Sequence, residues 1–131
     1  MRKLTVLGAV YGALGVMLGA FGAHALQGTL GETAMRLWHT AVEYQLWHAL
    51  ALLVAALALP ASRAQRVSVW AFAVGGALFS GSLYALALGA PRFVGAITPF
   101  GGAALIVGWL AAATAAGRRD QNDRSGPCSK S

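Results

Sequence analysis

The run Val6-Leu-Gly-Ala-Val-Tyr-Gly-Ala-Leu-Gly-Val-Met-Leu-Gly-Ala-Phe-Gly-Ala-His-Ala25 decides the fold of this chain. Its glycines are Gly8, Gly12, Gly15, Gly19 and Gly22, and their four-three-four-three spacing places them on one side of a helix. Each would cost a helix in water roughly 1 kcal/mol relative to Ala, but in a bilayer the backbone must bond to itself. A face without side chains lets a second helix approach closely. We therefore predict that this glycine seam makes the first helix the central packing element of a membrane bundle.

The composition excludes an ordinary soluble domain. Of 131 residues, 57% are hydrophobic and 11% are charged, and so short a chain could not hide that much apolar surface from water. The net charge of +6 does not indicate nucleic-acid binding, because the long apolar runs lack Lys and Arg. The expected partner is therefore the lipid bilayer, with a second copy or another membrane protein as further candidates.

Four hydrophobic segments are each close to the length of roughly 20 residues that crosses a bilayer. They cover residues 4–26, 38–59, 67–89 and 93–116. Because the connections between them are short, consecutive helices are expected to be antiparallel neighbours. The prediction is an all-α polytopic membrane protein: a four-helix transmembrane domain over residues 1–117, followed by a disordered polar cytoplasmic tail over residues 118–131.

Basic residues predict the orientation. Eight fall on one side of the predicted membrane, namely Arg2, Lys3, Arg63, Arg66, Arg118, Arg119, Arg124 and Lys130, and two fall on the other, Arg36 and Arg92. Since cytoplasmic loops are enriched in Lys and Arg, both termini are expected in the cytoplasm. Trp38 and Trp70, near predicted helix ends, fit an interfacial aromatic belt. A cleaved signal peptide ending at Ala23-His24-Ala25 is an alternative, but its apolar run would be unusually long.

Polar side chains are few within the apolar segments and gather in the outer half of the predicted bundle. The candidate site consists of His24, Glu43, Tyr44, His48, Ser80, Ser82, Tyr84 and Thr98. Glu43 would lie roughly 8 Å below the external end of its helix, where an ionisable group is costly without a partner. The cluster therefore either binds or handles protons, or holds the helices in register through hydrogen bonds.

Metal and enzyme chemistry receive less support. Glu43 and His48 diverge by roughly 140° around the helix, so together they cannot chelate a metal. A site built from His24, His39 and Glu43 would need two helices and lacks a recognised metal-ligand spacing. Ser80 and Ser82 lack a nucleophile elbow, and small residues on a membrane helix usually serve packing. We expect no metal, no cofactor and no catalytic residue.

Four phrases together resemble a known family. They are Leu18-Gly-Ala-Phe-Gly-Ala-His24, Val42-Glu-Tyr-Gln45 with His48-Ala-Leu-Ala51, Leu78-Phe-Ser-Gly-Ser-Leu-Tyr84, and Thr98-Pro-Phe-Gly-Gly102 with Gly108-Trp109. In this order and spacing they are similar to the YgdD/YwdK-like family of small inner-membrane proteins, a domain of unknown function. The resemblance implies four membrane helices and localisation in the inner membrane. It implies no reaction, substrate or established site.

The sequence leaves two functions open. The first is a structural, partner-binding or lipid-binding helix bundle whose outer polar cluster locks the helices or contacts a ligand. The alternative is a small proton-coupled transporter or ion-pathway protein that uses Glu43 as its titrating group. A membrane-embedded enzyme ranks last.

Overall fold

The computed structural model describes residues 1–126, and all the regular structure within them is helical. Four long helices follow one another: α1 (Arg2–Phe21), α2 (Glu32–Ala58), α3 (Arg63–Ala87) and α4 (Ile97–Arg124). A π-helical turn, Gly22–Leu26, extends α1, and a 3-10 turn, Arg92–Ala96, precedes α4. With these turns included, each helix is long and apolar enough to cross a membrane. The predicted all-α bundle of four antiparallel membrane helices is confirmed.

Helix α2 begins six residues earlier than the hydrophobicity predicts. Gly31 is extended, with φ −63° and ψ 165°, and the helix starts at the next residue. Glu32 then favours the first turn through the helix dipole, and its carboxylate lies 3.8 Å from the guanidinium of Arg36 one turn later. A polar first turn contributes nothing to an apolar window, so hydropathy could not detect it.

The connection between α2 and α3 is closed by side-chain caps. Pro60 stops α2, and the Ser62 hydroxyl accepts a hydrogen bond from the Gln65 backbone N–H at 3.0 Å, which starts α3. The buried Gln65 amide donates back to the carbonyls of Ala55 and Leu59, each at 3.1 Å. These carbonyls have no partner within a helix that ends at Ala58. The short connection therefore satisfies both helix ends that it joins.

Helix α3 lies between α2 and α4, whereas α1 packs on α2 and reaches α3 at few points. The main core joins α2, α3 and α4 around Leu52, Val69, Phe72 and Leu105. The prediction that α1 is the central packing helix was therefore wrong. A glycine face permits close contact with one neighbour, but it contributes no side chains around which several helices could assemble.

All five members of the glycine seam face α2. A Cβ on Gly8 or Gly15 would come within 2.7 Å of a Leu side chain of α2, and a Cβ on Gly22 would meet the Trp38 indole at 2.5 Å. Gly12 is the roomiest of the five, because the nearest atom to its added Cβ is the Ala49 Cβ at 4.0 Å. Side chains of α2 therefore pack against the α1 backbone in the spaces that the glycines leave open.

Glycines also allow a close backbone approach between α3 and α4. A Cβ on Gly101 would lie 2.5 Å from the Phe79 backbone nitrogen, which no side-chain movement could relieve. Gly75 faces the same interface from α3, where its added Cβ would lie 3.0 Å from the Gly101 carbonyl oxygen. Glycines on both helices therefore set the α3–α4 distance.

Helix α4 continues beyond the predicted end of the membrane domain. Residues 118–124 were predicted to begin a disordered tail, but they extend α4 to Arg124. Arg119 donates to the Ala58 carbonyl at 3.2 Å, and Arg124 pairs with Asp120 one turn earlier at 3.5 Å. These contacts stabilise the polar end of α4, and the composition of residues 118–124 does not predict them. Residues 127–131 of the predicted tail lie outside the described residues.

Candidate functional site

Side-chain donors on one helix bind backbone carbonyls on the next, and these bonds join α1, α2 and α3. The Trp38 indole donates to the Leu18 carbonyl at 2.9 Å, and the Gln45 amide donates to the Tyr11 carbonyl at 3.0 Å. The Tyr11 hydroxyl donates to the Ala73 carbonyl, and the Ser80 hydroxyl to the Ala41 carbonyl, both at 2.8 Å. A helix carbonyl has two lone pairs, so each can accept such a bond beside its helical one.

Two of these carbonyls lie beside glycines of the seam, and at one of them the missing side chain admits the donor. Gly22 follows Leu18 by four residues, and a Cβ there would lie 2.5 Å from the Trp38 indole nitrogen. Gly15 has the same relation to Tyr11, and its added Cβ would lie 3.6 Å from the Gln45 Cγ and 2.7 Å from Leu46. The seam therefore does more than shorten the distance between helices, because it opens the α1 backbone to side-chain donors.

Gln45 is the polar centre of the bundle, since it bonds to two other helices. It is 9% exposed, and its amide oxygen accepts from the Tyr84 hydroxyl at 2.7 Å while its amide nitrogen donates to Tyr11. The Tyr84 ring packs edge-on against Trp38, with ring centroids 4.7 Å apart. Trp38 is 3% exposed, so its ring packs inside the bundle and does not face lipid.

His48 is held as a neutral imidazole between α2 and α4. Its Nδ1 lies 2.8 Å from the Tyr44 carbonyl oxygen, so Nδ1 carries the proton and donates it there. Its Nε2 then accepts from the Trp109 indole at 3.2 Å. Tyr44 also stacks on Phe79, with centroids 4.4 Å apart. The bond from Trp109 to His48 connects two helices that otherwise have few contacts.

Two serines join α3 to its neighbours. Ser80 binds the Ala41 carbonyl of α2, whereas the Ser82 hydroxyl lies 2.6 Å from that of Thr98 at the start of α4. Ser82 also donates to the Phe79 carbonyl at 2.9 Å, so Thr98 donates the bond between the two hydroxyls. Both serines are buried. Their hydroxyls therefore serve as links between helices.

The eight predicted site residues do not form one cluster. Tyr84 belongs to the Gln45 group, Tyr44 and His48 to the Trp109 group, and the remaining hydroxyls to α3 contacts. His24 and Glu43 are exposed, and within residues 1–126 neither takes part in a hydrogen bond or ion pair. No group of three or more His, Cys, Asp or Glu among the described residues could hold a metal ion.

A groove of about 850 Å³ runs along the bundle between α2 and α4, and we call it the α2–α4 groove. Its surface is formed by Trp47 and Val54 from α2, Ile106 and Trp109 from α4, and Phe72 and Phe79 from α3. Glu43 and Tyr44 line one end, and Leu59 and Ala112 line the other. Glu43 is the only acidic side chain in this lining, and the described lining contains no Lys or Arg.

Sequence reasoning missed residues whose side chains form most of the hydrogen bonds in the bundle interior. Gln45 was left out of the candidate site, Trp38 was assigned to an interfacial belt, and Tyr11 and Trp109 were given no role inside the bundle. Gln65 was placed in a loop, although a Gln three residues after a capping Ser was a usable signal.

Ser68 is fully buried, and its hydroxyl has no partner among the described residues.

We predict that Gln45→Leu lowers the free energy of unfolding by about 1–2 kcal/mol, because interhelical hydrogen bonds in membranes average roughly 0.6 kcal/mol and this change removes two. Tyr84→Phe removes one of the same bonds and should cost less. The two changes together should cost less than the sum of their separate effects, since they share a bond. Unfolding in mixed detergent micelles measures all three variants, with His39→Leu as an exposed control. Strict additivity would contradict the shared bond.

Comparison with known proteins places these features in a family. The family described as "Protein of unknown function (DUF423)" matches residues 18–102, a range that includes Trp38, Gln45, Glu43, His48 and Tyr84. No solved structure matches the chain.

Named relatives are similar over most of the chain. The UPF0382 membrane protein YwdK of Bacillus subtilis is 44% identical over 119 residues, which cover 88% of this chain and 97% of the relative. The UPF0382 inner membrane protein YgdD of Escherichia coli is 41% identical over 114 residues, covering 82% of this chain and 84% of the relative. The resemblance drawn from the four sequence phrases is confirmed. This chain belongs to the DUF423 family of membrane proteins of unknown function.

Proposed function

We propose that the protein is a lipid-binding membrane protein whose α2–α4 groove holds an alkyl chain of a bilayer lipid. The observation that supports this most directly is the groove itself, an apolar cleft of about 850 Å³ formed by three helices. That volume falls within the range of roughly 300–1,000 Å³ typical of small-molecule sites. Ligand sites in helix bundles also commonly lie between helices.

The length of the groove suits an alkyl chain. Glu43 and Leu59 are sixteen residues apart on α2, or about 24 Å along the helix. A groove of that length can receive an extended alkyl chain along its whole course.

The polar bonds around the groove hold its walls apart at a fixed distance. The Trp109 indole reaches from α4 to His48 on α2, and the Phe72 ring lies beneath both, with centroids 5.1 Å from Trp109 and 5.8 Å from His48. Because Nδ1 of His48 is also engaged, rotation of the imidazole would break two bonds. The groove is thus preformed, which lowers the ordering cost of binding.

We predict that Gly102→Leu reduces the binding of a lipid chain, because Gly102 lines the groove and its replacement fills that space. The first added carbon would fit, since a Cβ there would lie 3.7 Å from the Phe79 ring. Gly81→Leu is the matched control, because Gly81 is exposed on α3 with no atom near its added Cβ. Cross-linking with a photoactivatable alkyl-chain phospholipid, followed by mass-spectrometric mapping, measures occupancy of the groove.

The wild type and Gly81→Leu should be labelled on groove residues such as Val54 and Ile106 more strongly than on exposed α1 residues such as Met17. Gly102→Leu should lose that preference while its exposed α1 residues remain labelled. Equal labelling of groove and α1 in the wild type would overturn the proposal.

The proposed orientation places both termini in the cytoplasm, as the excess of basic residues on that side supports. Single cysteines test it in a Cys128→Ser background. A membrane-impermeant maleimide should label Thr29→Cys, in the α1–α2 loop, in intact cells. It should label Ala61→Cys, in the α2–α3 connection, only after permeabilisation. The reverse pattern would invert the topology.

Proton-coupled transport through Glu43 stays a prediction. The α2–α4 groove lies along the outside of the bundle, and within the described residues Glu43 bonds to no other ionisable group. A relay would need such groups in sequence across the membrane. Proton flux into vesicles containing the protein, compared with Glu43→Gln, would measure this activity.

A further inference from the structure

We propose that the lipid in the α2–α4 groove is a phospholipid with a primary-amine head group, and that its ammonium pairs with the Glu43 carboxylate. This inference rests on the proposed function, because it assigns head-group chemistry to the same groove. The lipid belongs to the leaflet on the side of the α1–α2 loop, since the Glu43 end of the groove faces that side.

The first argument is the charge of the groove. Glu43 is exposed at one end of an otherwise apolar lining, and nothing in residues 1–126 forms a hydrogen bond or ion pair with it. The nearby imidazole of His48 is already engaged on both nitrogens, by the Tyr44 carbonyl and the Trp109 indole. An ionisable side chain at membrane depth normally has a partner. A cation from the lipid phase is the complement that this lining lacks.

The second argument is the presence of unused donors on residues of the same lining. Tyr44 and Trp47 both line the groove, and neither the Tyr44 hydroxyl nor the Trp47 indole N–H has a hydrogen-bond partner in the described part of the chain. Trp47 is 66% exposed and lies one turn, about 6 Å, farther from the α1–α2 loop than Glu43. These donors are unused polar groups in an otherwise apolar lining.

An ammonium at Glu43 leaves the alkyl chains of the lipid on the apolar surface of the groove. From the membrane surface inward, an amino-phospholipid presents its ammonium before its alkyl chains. From the α1–α2 loop inward, the groove presents the Glu43 carboxylate before the apolar surface that reaches Leu59. An ammonium also offers three N–H donors, and its bonds to a carboxylate are charge-assisted.

Other phospholipid head groups fit this groove less well. An anionic head group without an amine would meet the Glu43 carboxylate, and the lining offers no Lys or Arg to offset it. A trimethylated ammonium keeps the positive charge but cannot donate a hydrogen bond. One face of the Tyr44 ring already stacks on Phe79, at 4.4 Å, so it cannot complete an aromatic cage around that group. The primary amine is therefore the favoured head group.

Native mass spectrometry of the full-length protein in detergent tests the inference. The protein is titrated with phosphatidylethanolamine, phosphatidylcholine and phosphatidylglycerol of identical acyl chains. Phosphatidylethanolamine should bind about tenfold more tightly than the other two, as expected from one charge-assisted hydrogen bond. Glu43→Gln should remove this preference while all three lipids still bind through their chains. Glu32→Gln, which changes an exposed acid outside the groove, should keep it.

The outcomes separate head-group recognition from chain binding. If the wild type binds all three lipids equally and Gly102→Leu abolishes binding, the head-group inference is overturned and the lipid-binding function stands. If Gly102→Leu leaves binding unchanged, the proposed function fails as well. If Glu43→Gln keeps the amine preference, Glu43 is not the recognising group. Circular dichroism and size-exclusion profiles identical to wild type show that the exposed substitutions leave the fold intact.

Discussion

The bundle depends on side-chain hydrogen bonds to helix carbonyls that are reachable because glycines lie beside them. Lipid tails are as apolar as the helices, so burial of apolar surface between helices gives little driving force in a bilayer. Trp38 and Gln45 instead donate from α2 to the carbonyls of Leu18 and Tyr11 on α1. Each carbonyl has a glycine four residues later: a Cβ on Gly22 would obstruct the Trp38 donor, and a Cβ on Gly15 would clash with Leu46, the neighbour of Gln45. The glycine seam and the polar side chains of α2 therefore act together, because the glycines bring α2 close to α1 and the side chains then bond to the α1 carbonyls.

Hydrogen bonding separates the polar residues of the predicted site and their neighbours into two groups. Gln45, His48, Ser80, Ser82 and Tyr84 are satisfied inside the bundle, and their partners lie on neighbouring helices or on their own backbone. Glu43 remains outside this network, at the end of the α2–α4 groove, together with the donors of Tyr44 and Trp47, which have no partner within residues 1–126. Buried polar groups that are fully bonded act as structure, whereas unpaired polar groups beside a cleft indicate where a ligand can bind.

The sequence predicted the architecture well because length and hydropathy depend on local composition. The four spans and, with their short connections, the antiparallel order followed from it, whereas the family followed from four sequence phrases. The start of α2 at Glu32 was missed because a polar turn lies outside any apolar window. The central position of α3 and the burial of Trp38 depend on which face of each helix meets which neighbour. The spacing of apolar residues cannot determine that when nearly every face is apolar, so the site residues could be named but not grouped.

The most direct test of this account is hydrogen exchange at the Trp38 indole N–H, followed by NMR in the wild type, Gly22→Ala and Gly12→Ala. The added methyl of Gly22→Ala would occupy the space of the Trp38 nitrogen, while that of Gly12→Ala would only touch Ala49 at 4.0 Å. The account predicts slow exchange in the wild type and in Gly12→Ala, and fast exchange in Gly22→Ala. Slow exchange in Gly22→Ala would contradict it, because the glycine would then not be what admits the indole to the Leu18 carbonyl.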